Sequence, residues 1–148
     1  MQMGKIVNMV EESGLTISNF KMAKLGKAEA EKFCESHKGK PHFNEMVNFL
    51  SSDLVLAIEI LAENSINKVR DVANAIRSKF GSDQLKSAVI CSESASTSAK
   101  ETEFFFSSKS TIQSPAYFNS CSCLVVKPHL ITENYVGQVM DAVLNSGF

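Results

Sequence analysis

Leu54–Leu61 reads LVLAIEIL, apolar at every position except Glu59. A run this short and this continuously apolar has the pattern of a strand buried on both faces of a sheet. Upstream, Leu15, Ile17, Phe20 and Met22 fall in an extended run from Leu15 to Lys24, with imperfect alternation but strand-like spacing. Amphipathic helical stretches surround these two runs, which places the chain among mixed α and β folds.

Met3 to Ser13 carries Ile6, Met9 and Val10 at helical spacing, and Gly14 stands where a C-cap belongs. Lys27 to Ser36 is rich in Ala, Glu and Lys, all good helix formers. A turn from His37 to Pro41 follows, then a helix with Met46, Val47, Phe49 and Leu50 on one stripe and Asn44 as its expected cap. After a turn over Ala62 to Asn67, Lys68 to Lys79 sets Val69, Val72, Ala73 and Ile76 on one face, and Gly81 to Asp83 breaks it. Leu85 to Cys91 is expected as a short edge strand and Glu93 to Phe106 as a helix. Residues 107–120 are Ser-rich with Pro115 inside, and read as a linker. Cys121 to Lys127 is expected as a new strand that Pro128 ends, and Thr132 to Ser146 as a helix that Gly147 stops.

A weak internal repeat runs through this order. MGKIVNMVEESG (3–14) and VGQVMDAVLNSG (136–147) share four of twelve residues, including a Gly at the second position and a terminal Ser-Gly. Each is an amphipathic helix with a capping glycine, and the later copy follows an expected strand. A truncated tandem repeat is the expected organisation: one unit over 1–106, the linker, then the first strand and helix of a second unit over 121–148.

Composition narrows the function. The 148 residues hold 15 Lys and Arg against 16 Asp and Glu, so bulk attraction to nucleic acid or an anionic membrane is not expected. No apolar run approaches the roughly 18 residues of a spanning helix. The first residues, MQMGKIVNMVEESG, are too often interrupted by polar groups for a signal peptide. Cys121 and Cys123 lack the C-x-x-C spacing of redox or zinc sites, so Cys34, Cys91, Cys121 and Cys123 read as ordinary core cysteines, which fits a reducing compartment.

The stretches MGKIVNMVEESGLTISNFKMAKL, HKGKPHFNEMVNFLSSDLVLAIEIL and ETEFFF resemble a nucleoside diphosphate kinase domain, and CLVVKPHLITENYVGQVMDAVLNSGF resembles the start of another. The resemblance implies an α+β, ferredoxin-like βαββαβ fold whose first strand is missing upstream and is supplied by residues 121–127, in the same chain or a partner's. It implies phosphoryl transfer between nucleoside tri- and diphosphates through a phosphohistidine, with a magnesium ion on the phosphates. Such chemistry requires a nucleophilic imidazole and cations on the phosphates.

The family motif Asn-x-x-His-Gly-Ser/Pro-Asp-Ser matches Ser87 to Ser94 here. The histidine position holds Ile90, the asparagine position Ser87 and the glycine position Cys91; Glu93 and Ser94 keep the acid-serine ending. The tyrosine and arginine of the Tyr-(five residues)-Arg-Pro-Phe-Phe segment fall on Cys34 and Lys40. Lysine keeps the charge without the bidentate fork of arginine. A later family arginine matches Arg77, but the phosphate loop that precedes it has no counterpart. The strand-one lysine of a Lys-Pro pair appears only as Lys127 with Pro128. Of the three histidines, His37 reads as a solvated turn residue, His42 as local packing and His129 as part of the second unit. Phe104, Phe105 and Phe106 read as core packing.

The resemblance therefore implies a kinase-like module that is catalytically inactive, with no cofactor of its own and a structural or assembly role. The alternative is a working nucleoside diphosphate kinase in a full-length context, using Mg and ATP. Tandem members of the family imply a cytoplasmic, cytoskeletal or ciliary setting, a microtubule-associated assembly and a homo-oligomer or strand exchange between copies. The 107–119 linker spans up to about 43 Å when extended. The expectation is that Cys121 to Lys127 fills the central sheet position and brings Lys127 beside Arg77.

Overall fold

The computed structural model describes residues 2–83 and 86–147. In order they form α1 (Met3–Glu12), β1 (Thr16–Lys24), α2 (Lys27–Phe33), a 3-10 turn (Glu35–His37), α3 (Phe43–Ser52), β2 (Leu54–Leu61), α4 (Ser65–Phe80), α5 (Ala95–Phe106), α6 (Pro128–Thr132) and α7 (Val136–Asn145). The class is α+β, as expected. None of these helices is long and apolar enough to cross a membrane.

β1 and β2 pair antiparallel, with Phe20 opposite Ile58 and Lys24 opposite Leu54. The register shifts between Ile17 and Asn19. At that bulge the Ser18 hydroxyl donates to the Glu59 carboxylate at 2.8 Å. Among the described residues the sheet has only these two strands. The double-sided burial expected of Leu54–Leu61 is therefore corrected: the strand is half-buried, and Leu54 and Leu61 are exposed at its ends. Its second edge borders an apolar crevice of about 830 Å³, bounded by α1 and α4 residues such as Val10 and Val72, by Phe105 and by Val89–Cys91.

Two clusters form the core. Ala23, Leu25, Ala30, Cys34, Val47, Phe105 and Ile112 pack on one side. Val10, Leu15 and Ile76 pack on the other, joined by Ile60, Val69 and Val72. Phe105 meets Phe33 edge-on, and Phe104 meets Phe105 at 4.9 Å between ring centres, so the three phenylalanines are interior packing around α5.

Local chemistry moves several boundaries. α3 begins after His42, with Asn44 inside it rather than capping it. α4 starts at Ser65, earlier than expected, because Asn64 takes a left-handed φ of 55° and turns the chain directly into the helix. The expected edge strand over 85–91 is irregular where it is described, and its first residue, Leu85, lies outside the described residues. Ala88, at φ 71°, breaks the extended path there. The start of the linker is tied down: Ile112 is buried, and Lys21 Nζ donates to the carbonyls of Ile112 at 2.8 Å and Phe105 at 3.3 Å.

Cys121 to Lys127 does not form the expected strand or enter the sheet of its own chain. It has no regular secondary structure, with Leu124 and Val125 exposed, and Cys121 and Cys123 are exposed as well rather than in the core as expected. The physical reason lies downstream. Pro128 opens α6 at the first helical position, where its missing N–H costs nothing, and α7 docks on α1 instead of competing with it for the sheet. Glu11, buried near the end of α1, accepts hydrogen bonds from the N–H groups of Val136 at 3.1 Å and Gly137 at 2.8 Å. A carboxylate at a helix N-terminus satisfies orphan donors and favours the positive end of the macrodipole.

Candidate functional site

The turn after α2 carries Gly39 at φ 87°, a left-handed conformation that favours glycine, and delivers His42 to the start of α3. From there α3 presents Glu45, Met46, Phe49 and Leu50 to a cavity of about 630 Å³. Phe80 closes α4 on the opposite wall, and the segment that follows contributes Ser82, Asp83, Lys86, Ser87, Ala88 and Ile90. The cavity thus joins two of the residues singled out in the sequence, Ser87 and Ile90, with His42. Ile90 is 47% exposed, so the side chain at the family's nucleophile position faces open space rather than the core.

The other sequence candidates lie elsewhere. Cys34 caps the end of α2 at 1% exposure within the core, and burial pushes its thiol pKa up. Lys40 is exposed and its Nζ lies 3.1 Å from His37 Nδ1. Arg77 spends its guanidinium on structure. Its Nε donates to the Val89 carbonyl at 3.1 Å, Nη1 donates to Asn74 Oδ1 at 3.1 Å, and Nη2 points to Cys91 Sγ at 3.7 Å. These bonds clamp the 89–91 segment to α4, beside the left-handed Ala88.

Ser94 is the N-cap of α5: its hydroxyl accepts from the Thr97 N–H at 3.2 Å, and its own N–H donates to Thr97 Oγ1 at 3.0 Å. Ser92 donates from its hydroxyl to the Glu101 carboxylate, a further tie between this segment and α5. Lys127 is exposed ahead of α6 and lines neither cavity, which corrects the expectation that it arrives beside Arg77. His129 is also exposed.

Sequence reasoning missed Glu45, Asp83 and Lys86 as lining groups. The polar GSD that follows Phe80 was read only as a helix breaker; its nearness to α3 is a tertiary fact without a local pattern. Lys86 N–H donates to Asp83 Oδ1 at 2.7 Å, which turns this loop back along the cavity. The lining sets the carboxylates of Glu45 and Asp83 against the single lysine Lys86. That balance is poor for a polyphosphate, whose binding needs a surplus of positive charge and oriented N–H donors. Among the described residues no group of three or more His, Cys, Asp or Glu side chains is placed to hold a metal ion.

A family model described as nucleoside diphosphate kinase matches residues 1–111. Nucleoside diphosphate kinase homolog 7 of Rattus norvegicus is 30% identical over 160 aligned residues, which include 98% of this chain and 40% of the relative. The Mus musculus protein of the same name is 31% identical over the same shares. The chain thus spans about two fifths of the length of these curated relatives. A nucleoside diphosphate kinase of Wolbachia sp. subsp. Drosophila simulans is 37% identical over 113 residues, covering 70% of this chain and 81% of the relative. Among solved structures, the nucleoside diphosphate kinase of Aquifex aeolicus superposes with a TM-score of 0.69 at 30% identity, covering 72% of this chain and 85% of that one.

Proposed function

Because this chain belongs to the nucleoside diphosphate kinase family, we propose that it is a kinase-like module without phosphohistidine chemistry, retained for a structural or assembly role. The observation that carries this reading is Ile90, an alkyl side chain at the nucleophile position and on the wall of the candidate cavity. Covalent phosphoryl transfer needs a lone pair on the protein aligned with the phosphorus atom. The surroundings point the same way: Arg77 is committed to the 89–91 backbone, Cys34 is in the core and two carboxylates face the cavity.

The module's partners follow from the same reading. A role in assembly calls for surfaces that pair with a second copy or with a larger cytoskeletal or ciliary structure, and the near-neutral charge favours neither nucleic acid nor an anionic membrane. A second reading, kinase activity in a full-length context with ATP and Mg, draws on the length of the relatives, of which this chain spans about two fifths.

Incubation with ATP labelled at the terminal phosphate separates the two. The expected result is no acid-labile label on the purified chain and no transfer to an added nucleoside diphosphate. Label that survives contaminant controls and is released by acid overturns the proposal.

A further inference from the structure

β2 pairs with β1 along one edge, and its other edge has no strand beside it among the described residues. Alternate residues of a strand turn both N–H and C=O to the same side, so half of the backbone polar groups of Leu54–Leu61 face that second edge. Edge strands are usually blunted by a proline, a lysine or a covering loop. LVLAIEIL has neither proline nor lysine, and its second edge borders the apolar crevice of about 830 Å³. An aliphatic ligand would cover the crevice walls but leave the backbone groups orphaned. A further strand satisfies both.

The walls prescribe the sequence of that strand. Leu25 and Phe105 of one core cluster and Val10, Leu15 and Ile76 of the other line the crevice, which therefore lies between the two clusters. A strand laid there meets apolar groups on both faces, so it has to be a continuous apolar run rather than an alternating one. Charge adds a second demand. Every charged side chain in the described lining is a carboxylate: Asp53 just ahead of β2, Glu59 toward its end and Glu101 on α5. Each accepts a hydrogen bond from a neutral donor, respectively the Leu54 N–H, the Ser18 hydroxyl and the Ser92 hydroxyl. A carboxylate has further acceptor sites, and neither Lys, Arg nor His stands in this lining. The chain's own 121–127 segment ends in Lys127, but Ser122 interrupts it. Its apolar run, 123–126, is four residues long against the eight of β2.

We propose that the crevice beside β2 is a docking site for an extended segment of a partner protein, which joins the sheet as a third strand. The segment is an apolar run as long as β2, with Lys or Arg at its ends and no acidic residue. Main-chain hydrogen bonds to β2 supply the affinity and the carboxylate rim supplies the choice of partner. The site is independent of the phosphotransfer question, since it rests on the edge of β2 and not on position 90.

The probe is a dye-labelled, C-terminally amidated peptide, Lys-Val-Ile-Val-Ala-Val-Ile-Lys, titrated by fluorescence anisotropy against the full chain at low salt. A second peptide has Glu in place of both lysines. The expected result is saturable binding of the lysine peptide and binding of the glutamate peptide weaker by about tenfold. Glu101→Gln, which keeps an acceptor for Ser92, is expected to weaken the lysine peptide about two- to fivefold. Residue-resolved amide exchange by NMR locates the contact: alternate N–H groups of β2 gain protection when the lysine peptide binds, while those already bonded to β1 do not change. Absence of saturable binding, equal binding of the two peptides, or protection that appears elsewhere and not on β2 overturns the proposal. So does protection of the same β2 amides in the chain alone that rises with its concentration, because the occupant is then a second copy.

Discussion

An alkyl side chain at position 90 offers phosphorus no lone pair, and restoring one would not restore the site. Ile90→His would place an imidazole over a cavity that still has Glu45 and Asp83 facing it and Arg77 turned away to Val89. Positioning and charge stabilisation supply most of the rate in phosphoryl transfer. The Ile90→His chain is therefore expected to show no turnover in a coupled assay of transfer from ATP to a nucleoside diphosphate; ordinary enzymatic rates from that single substitution would refute this. Cys34 makes a second residue-scale case. Burial raises its thiol pKa above the ordinary thiol value, so the neutral form is favoured in the folded state. The sign follows: this contribution to stability is complete below the unfolded pKa and is lost as pH rises through the folded value. A disulfide reagent near pH 8 is expected to modify exposed Cys121 and Cys123 quickly and Cys34 only on unfolding. Rapid reaction of all the thiols in native buffer would contradict this.

Among the elements, α5 anchors the larger core cluster through Phe105, which packs edge-on against Phe33 and lies with Cys34, Val47 and Ile112. Phe105→Ala is expected to cost about 3–5 kcal/mol in a urea unfolding curve, the range for emptying an aromatic core site. A loss below about 1 kcal/mol would mean that the neighbours collapse into the space. The helices other than α6, and β2, were readable because apolar periodicity is local: Val69, Val72, Ala73 and Ile76 mark one face of α4 whatever packs on it. The rest depended on contacts that no local pattern carries. The 86–93 segment has a strand-like composition, yet Ala88 is left-handed and the Val89 carbonyl is taken by Arg77. Pro128 satisfies two rules at once, ending a strand or opening a helix, and the docking of α7 makes it the second. Within the candidate site, Ser87 and Ile90 could be found by motif spacing. Glu45 and Lys86 could not, because only the approach of α3 to the loop after α4 puts them on one cavity.

For the whole molecule, the question is what residues 120–148 do for the unit that precedes them. If the segment's service were to supply a strand, Leu124 and Val125 would have to be buried beside β2; both stand in solvent. What the segment does supply is α7, which covers the face of α1 that carries Gly4, Asn8 and Glu11. Deleting 120–148 uncovers that face and leaves the Glu11 carboxylate without the two N–H groups it caps. A lost cap costs about 1 kcal/mol, and re-exposing an apolar side chain the size of Val7 adds about 1.5–3 kcal/mol, so the truncated chain is expected to be less stable by roughly 3 kcal/mol. Leu124→Asp with Val125→Asp, by contrast, changes only exposed positions and is expected to shift stability by no more than about 0.5 kcal/mol per site. Urea unfolding of the deletion and of the double substitution, each at low and high protein concentration, separates the two roles. A deletion that folds with unchanged stability removes any part for α7. A double substitution that destabilises the chain only at high concentration means that Cys121 to Lys127 pairs with the open edge of β2 in a second copy, since only an association makes stability depend on concentration.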